Sequence, residues 1–198
     1  MIGLLGILIA YLLGAIPFGY LLTRFTTGKD VRSEGSGNIG ATNVLRAAGR
    51  GAAIATLVLD MAKGFAAVWI AAYLTDGSSG WSADAALAVM VGHAFPVFLG
   101  FKGGKAVATF TGAFLYLTPI PALAGIIVFV ITVVVTRYIS AGSILAAATF
   151  PLGVWVIDHA SLNVILAALI AAAIVVYRHK DNIRRMRMGK EPVFRWGA

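Results

Sequence analysis

The chain opens with the run I-G-L-L-G-I-L-I-A-Y-L-L-G-A-I-P-F-G-Y-L-L-T at residues 2–23, which contains no charged side chain. A helix needs roughly 20 apolar residues to cross the hydrocarbon core of a bilayer, so this run is long enough for one span. No Lys or Arg precedes it, which argues against a cleaved signal peptide. The sequence therefore predicts that residues 1–23 form a first transmembrane helix.

Apolar runs recur along the rest of the chain. Hydrophobic residues make up 60% of the sequence and charged residues only 12%, against about 25% charged in a soluble domain. The further predicted spans are 51–74, 84–101, 106–118, 120–136, 141–157 and 163–177. We therefore predict an all-α polytopic membrane protein with seven transmembrane helices and one membrane-embedded domain, residues 1–198.

The basic residues are unevenly shared among the connections between these spans. They concentrate in 24–50, 102–105, at Arg137 and in the tail 178–195, whereas 75–83 and 158–162 contain neither Lys nor Arg. Because basic residues stay on the cytoplasmic side, the N-terminus is predicted outside and the C-terminus in the cytoplasm. Segment 106–118 is short, so five full crossings plus broken helices is an open alternative that keeps both termini on the same sides.

Composition also bears on cofactors and partners. The chain has no cysteine, and its three histidines show no metal-ligand spacing, so neither a metal nor another cofactor is expected. The net charge of +8 fits basic residues at the inner face of a membrane, so the lipid bilayer is a predicted partner and nucleic acid is not.

Two lysines bracket a glycine pair in F-K-G-G-K, Phe101 to Lys105. Glycine N–H groups can close on an anion and lysine adds positive charge, so this loop is a candidate phosphate site. It is not a Walker A loop, because Leu99 and Ala106 stand where that motif needs Gly and Ser or Thr. The roles of two polar residues within the predicted spans stay open. Lys63, three residues after Asp60, either forms a structural ion pair with it or is a functional charge. His93 is either a core histidine or a catalyst.

Two more polar segments fall on the same predicted side of the membrane. S-G-N-I-G-A-T-N-V-L-R, Ser36 to Arg46, is either a turn-rich loop that caps a helix or a phosphate site using the arginine. Y-R-H-K-D-N-I-R-R-M-R-M-G-K-E, Tyr177 to Glu191, follows the last span without a break, and its basic residues also suit a lipid anchor. In it, His179 and Asn182 are predicted to share a helix face. We expect the three segments to converge on one cleft.

Together these three segments resemble the motifs of the bacterial acyl-phosphate:glycerol-3-phosphate acyltransferase family in order and spacing. The third segment departs slightly, with Lys180 and Met186 where the family has Arg and Leu. The resemblance implies a seven-helix membrane fold in the bacterial inner membrane, with an active site that faces the cytoplasm. It also implies transfer of an acyl group from long-chain acyl phosphate to the 1-hydroxyl of glycerol 3-phosphate, giving lysophosphatidic acid and inorganic phosphate at the start of phospholipid synthesis.

The resemblance also carries residue roles onto this chain. Catalytic roles are expected at Ser36, His179 and Asn182. Substrate binding is expected at Arg46, Asn38, Asn43, Lys102, Gly103, Gly104 and Lys105. Glu191 is associated with the integrity of the fold.

Two rival functions fit the residues less well. Acyltransferases that use acyl-CoA have an H-x-x-x-x-D motif, but the residues at that spacing after the three histidines are Phe98, Val164 and Arg184. An organic-anion or phosphate transporter fits the basic residues, but its polar site belongs near the bilayer midplane, and here the polar segments cluster on one side.

Overall fold

A computed structural model of the chain describes residues 1–194, and every regular element in that range is helical, as predicted. The four residues at 195–198, which include Arg195 of the predicted basic tail, lie outside the described residues. The chain divides into two compact units, one from Met1 to Leu117 and one that begins at Thr118. The assignment of 1–198 to one domain stays a prediction.

Five α-helices build the first unit. They are α1 (Ile2–Ala15), α2 (Phe18–Thr27), α3 (Ala41–Leu74), α4 (Ser79–Ala94) and α5 (Val107–Leu117). Single 3-10 turns at Val31–Ser33 and Val97–Leu99 lie in the two long connections. One buried core cluster between the helices consists of small side chains: Ala10, Ala67, Val68, Ala71, Ala85, Ala86, Val89 and Ala113.

Glycines let α1 and α4 pack backbone to backbone. A Cβ at Gly14 of α1 would collide with the carbonyl oxygen of Val89 in α4, and one at Gly92 of α4 would collide with the carbonyl oxygen of Tyr11 in α1. Small residues at helix contacts permit this approach, which is the main source of packing energy where no water drives association.

The same reciprocal arrangement joins α3 and α5. A Cβ at Gly64 would collide with the Thr109 carbonyl oxygen, and one at Gly112 with the Met61 carbonyl oxygen. The short helix α5 is therefore fixed along the middle of α3, and with it the position of the loop that leads into α5.

Helix α3 is broken near its start by Gly49, whose φ of 83° and ψ of −177° are open only to glycine. The break separates the first two turns, which carry part of the Ser36–Arg46 segment, from the long apolar stretch. The predicted span 51–74 lies entirely after the break.

The second unit contains α6 (Pro119–Thr136), α7 (Ile139–Asp158), α8 (Leu162–Arg178) and α9 (Lys180–Arg187). Helix α7 packs against both α6 and α8. Helices α8 and α9 meet at His179 with a bend of 54°. The expectation that the last span runs without a break into the basic tail is therefore wrong.

The helices match the membrane prediction in kind and differ in detail. Five described helical segments are long and apolar enough to span by themselves, and the bent pair α8–α9 passes the same criteria jointly. The third of the five covers Ser79–Leu99, so the predicted span 84–101 began five residues late. Helix α5 has 11 residues and is about 16 Å long, roughly half of a 30 Å hydrocarbon core. Seven complete crossings therefore stay a prediction.

We predict that Gly112→Ala lowers stability by about 1–3 kcal/mol, because the added methyl group forces α5 away from the Met61 carbonyl of α3. Thermal unfolding of the purified protein in detergent measures the change. Gly125→Ala is the matched control, since a Cβ there meets only Phe150 at an ordinary 3.6 Å. Equal unfolding temperatures for the two variants would contradict the close packing of α3 on α5.

Candidate active site

Asn43 organises the loop that contains the first polar segment. Its side chain is buried, and its Nδ2 donates hydrogen bonds to the carbonyl oxygens of Val31 and Glu34, each at 3.0 Å. Its Oδ1 accepts a hydrogen bond from the backbone N–H of Ser36 at 2.9 Å. One amide thus ties three points of the loop to the first turn of α3. Asn43 therefore has a structural role, and its role in binding substrate stays a prediction.

Ser36 and Arg46 are exposed on either side of this clamp. Directly before Ser36, Gly35 adopts a φ of +54°, and a Cβ there would collide with Asn43 Oδ1 and touch Arg46 Cδ at 3.4 Å. Glycine is therefore required for the loop to pass over Asn43 beside the stem of Arg46. Asn38 closes a local turn, since its Oδ1 accepts a hydrogen bond from Gly40 N–H at 2.9 Å.

The basic residues of the connection 24–50 differ in how they are paired. Lys29 forms an ion pair with Glu34 at 3.1 Å, and Arg32 with Asp30 at 2.7 Å. The hydrogen bond from Arg32 holds the pKa of the Asp30 carboxyl below its ordinary value. Within residues 1–194 no ion pair to an acidic side chain involves the exposed Arg46, and its predicted role in binding substrate stays a prediction.

The glycine pair of the second segment lies against the end of α4. The N–H of Gly104 donates a hydrogen bond to the carbonyl oxygen of His93 at 3.0 Å. A Cβ at Gly103 would collide with that same oxygen, and a Cβ at Gly104 would collide with Nε2 of the His93 ring. We expected the glycine N–H groups to face an anion, but the Gly104 N–H is engaged within the chain, and the missing side chains make room for His93.

The two lysines flank this contact. Lys102 is exposed and Lys105 is half-buried, one residue before the buried Ala106. The carbonyl of Ala106 accepts the first hydrogen bond of α5, from Phe110 N–H at 2.7 Å. Lys105 thus stands at the N-terminal end of α5, where the helix dipole also favours an anion.

A buried charged cluster lies beneath the loop. Asp60 and Lys63 of α3 form the ion pair that their spacing suggested, with Oδ1 and Nζ 2.8 Å apart. His93 Nδ1 lies 3.6 Å from the same Asp60 oxygen. Lys63 Nζ also donates to the carbonyl oxygen of Ile16, at the break between α1 and α2, at 2.8 Å. The predicted ion pair is thus confirmed, whether Lys63 is structural or functional stays open, and the link to His93 is one that sequence spacing did not show.

The third segment belongs to the second unit, where His179 marks the bend between α8 and α9. Its ring Nδ1 lies 2.8 Å from the carbonyl oxygen of Val175. Because a carbonyl only accepts, Nδ1 is the protonated nitrogen of this contact. Asn182, one turn into α9, is buried like His179.

Glu191 joins α9 to α7. Its Oε1 accepts hydrogen bonds from Asn182 Nδ2 at 2.6 Å and from Ser140 Oγ at 2.7 Å, and its Oε2 accepts one from Arg185 Nε at 2.8 Å. Burial raises the pKa of the Glu191 carboxyl, but these three hydrogen bonds outweigh it and hold the pKa below its ordinary value. The association of Glu191 with fold integrity therefore has a physical basis in this structure.

Comparison with known proteins identifies the family. The family model described as glycerol-3-phosphate acyltransferase matches residues 4–189. The chain belongs to this family. A glycerol-3-phosphate acyltransferase from Geotalea daltonii is 47% identical, over 94% of each chain. One from Trichlorobacter lovleyi is also 47% identical, over 98% of each chain.

Solved structures of a related family member support the same assignment. The crystal structure of PlsY (YgiH), an integral membrane glycerol 3-phosphate acyltransferase, in its glycerol 3-phosphate form, has a TM-score of 0.93 and 39% identity, covering 98% of this chain and 96% of that one. Its lysophosphatidic acid form has a TM-score of 0.88 and 38% identity, covering 98% and 95%. This family member is an integral membrane protein.

The structure thus brings the predicted residues together in two groups. Ser36, Asn38, Asn43 and Arg46 lie on one loop and helix start of the first unit, and Lys102 to Lys105 on another loop of that unit. His179 and Asn182 lie in the second unit. Sequence reasoning missed that Asp60 stands beside His93, because the two are 33 positions apart and only the packing of α3 on α4 joins them.

We predict that Glu191→Gln lowers stability at pH 7 by about 2 kcal/mol, since the neutral amide loses the charge-assisted bond to Arg185 and cannot accept at both ends. Because the folded pKa is depressed, the carboxylate stabilises the fold above its unfolded pKa of about 4.3, and this contribution is lost as pH falls through the folded value. The difference between wild type and variant in thermal unfolding should therefore shrink below about pH 4. Glu34→Gln, whose carboxylate makes only an exposed ion pair with Lys29, is the control and should change little.

Proposed function

We propose that this chain transfers a fatty acyl group from long-chain acyl phosphate to the 1-hydroxyl of glycerol 3-phosphate. The products are lysophosphatidic acid and inorganic phosphate. The proposal follows from family membership and from the related crystal structure in its glycerol 3-phosphate form. The observation that carries it onto this chain is the pair of basic loops in the first unit, in which Arg46 and Lys102 are exposed and Asn43 and His93 hold the backbone in place.

Acyl phosphate as the donor agrees with the chain's lack of a His–Asp pair at the H-x-x-x-x-D spacing. An acyl phosphate is a mixed anhydride with a good leaving group, so the reaction needs neither a covalent acyl-enzyme nor a strong base. The 1-hydroxyl oxygen attacks the acyl carbon, the bond from that carbon to the phosphate oxygen breaks, and phosphate leaves with the electron pair. The hydroxyl proton passes to a phosphate oxygen of the substrate.

Holding two phosphorylated substrates together is then the main demand on the protein. At 4 Å and an effective dielectric of 20, two unit negative charges repel by roughly 4 kcal/mol. Arg46, Lys102 and Lys105 offset that repulsion, and the Ser36 hydroxyl donates to the oxyanion that develops at the acyl carbon. His179 and Asn182 orient substrate. Apposition of the reacting atoms accounts for roughly 7–11 kcal/mol of barrier lowering.

The purified protein should form lysophosphatidic acid from glycerol 3-phosphate and palmitoyl phosphate, and not from palmitoyl-CoA. Arg46→Ala should lower kcat/KM by about 10- to 100-fold, the equivalent of one charge-assisted hydrogen bond. Arg50→Ala, which changes an exposed arginine four residues further along the chain and beyond the break at Gly49, is the matched control. His179→Ala should also lose activity, with the exposed His159→Ala as its control.

Two results would overturn this assignment. Near wild-type rates of acyl transfer in both Arg46→Ala and His179→Ala would contradict the assignment of these residues to the site. Transfer from acyl-CoA at a rate equal to that from acyl phosphate would remove the proposed donor. Activity in detergent, where no gradient exists, also separates the enzyme from an anion transporter.

We further propose that the chain crosses the bacterial inner membrane seven times, with the N-terminus outside and the loops at 28–46 and 101–106 in the cytoplasm. The native chain has no cysteine, so single cysteines give an unambiguous labelling pattern. Lys29→Cys and Lys190→Cys should react with an impermeant maleimide only from the cytoplasmic side, and Asp76→Cys and His159→Cys only from outside.

The same experiment tests the short helix α5. If α5 enters and leaves on one face, Lys29 and Asp76 keep their sides while His159 and Lys190 exchange theirs. That outcome would contradict seven crossings and would leave the cytoplasmic loops of the first unit in place.

A further inference from the structure

We infer that Asp60 and His93 are positioning residues that set where the loop Phe101–Lys105 stands, and so where Lys102 and Lys105 meet substrate phosphate. The inference rests on the proposed function, because that function gives the loop its role in phosphate binding. It concerns two buried side chains that do not belong to the loop.

His93 carries the loop through two contacts. Its carbonyl oxygen accepts the hydrogen bond from Gly104 N–H, and its ring lies where a side chain at Gly104 would be. His93 is 4% exposed, so its ring is packed in the interior of the unit and is not a surface group. The imidazole therefore occupies the space beside the Gly104 backbone, and the two lysines lie one and two residues from Gly104.

Asp60 holds the orientation of that ring from the opposite edge. Its Oδ1 lies 3.6 Å from His93 Nδ1, while Nε2 on the far side of the ring points to Gly104. The carboxylate thus favours the ring orientation in which Nδ1 faces α3. Asp60 belongs to α3 and His93 to α4, so the position of the loop depends on the distance between these two helices.

Lys63 makes this arrangement possible inside an apolar unit. A carboxylate that is 2% exposed needs an opposite charge, and the Lys63 ammonium provides it at 2.8 Å. Lys63 is itself held by the Ile16 carbonyl and by the Phe18 ring, whose centroid is 5.5 Å from Nζ. The cluster therefore joins the α1–α2 break, α3, α4 and the loop, all within the first unit.

The first test is a double-mutant cycle between His93→Ala and Gly104→Ala, with KM for glycerol 3-phosphate and kcat measured on palmitoyl phosphate. Gly104→Ala alone should raise KM by about tenfold with a much smaller change in kcat, because its methyl group displaces the loop against the ring. In the His93→Ala background the methyl group has room, so the same substitution should raise KM by less than about threefold more. Gly51→Ala, where an added Cβ meets nothing within 4 Å, is the glycine control in both backgrounds.

Equal factors for Gly104→Ala in the two backgrounds would overturn the inference, since the ring would then not determine the position of the loop. A loss confined to kcat, with KM unchanged, would overturn it as well, because a displaced phosphate-binding loop must weaken substrate binding.

The second test removes both charges with Asp60→Leu combined with Lys63→Met. Replacing a buried ion pair by apolar side chains of similar size is often tolerated by the fold. If Asp60 positions His93, the double variant keeps its unfolding temperature within a few degrees of wild type and still shows a raised KM. A stable double variant with wild-type KM would show that the ion pair serves packing alone and would overturn the role of Asp60.

The cycle also distinguishes failure of this inference from failure of the proposed function. If the wild-type protein transfers no acyl group from acyl phosphate, the proposed function is wrong. The coupling between His93→Ala and Gly104→Ala can then still be read in the unfolding temperature, where non-additive shifts support the contact of ring and loop and additive shifts contradict it.

Discussion

A polar group inside an apolar helical unit must find its partner within the same chain, because lipid offers none. Each polar segment of this protein is supported by one buried side chain or one buried ion pair that meets this requirement. Asn43 uses its whole amide on the first loop, and Glu191 uses both carboxylate oxygens on α7 and α9. The Asp60–Lys63 pair does the same beneath the second loop. The exposed basic residues stand on backbone that these buried contacts fix.

The helices were largely predictable because a bilayer demands long apolar runs, and such runs are legible in one sequence. Their ends and breaks were less so. Gly49 interrupts α3 by a backbone conformation that apolar periodicity does not encode. The bend at His179 falls where the sequence has neither proline nor glycine, so no local residue type predicted it. The Gly64 and Gly112 contacts depend on which backbone lies opposite, and that is a property of the folded unit.

The roles that the motifs assign to the site residues stay predictions, but the structure shows differences among these residues that the sequence did not indicate. Motif resemblance selected Asn43, Gly104 and Arg46 together as binders, although only Arg46 is exposed among these three. A single sequence shows that glycine occurs at 103 and 104, but not that the missing side chains leave room for an imidazole. Asp60 and His93 lie on different helices, and no spacing rule joins residues across a helix–helix contact. Their proximity required the structure.

These differences have a chemical reason. Acyl transfer from a mixed anhydride asks little of acid–base catalysis and much of placement, so a displacement of about 1 Å can cost roughly 100-fold in rate. Exposed cations such as Arg46 and Lys102 have long flexible stems, which cannot by themselves provide that accuracy. The accuracy must come from the backbone that carries them, and a backbone in a loop is only as fixed as the buried groups bonded to it. Under the proposed function, the side chains that never touch substrate therefore act on the reaction by fixing the backbone that carries those that do.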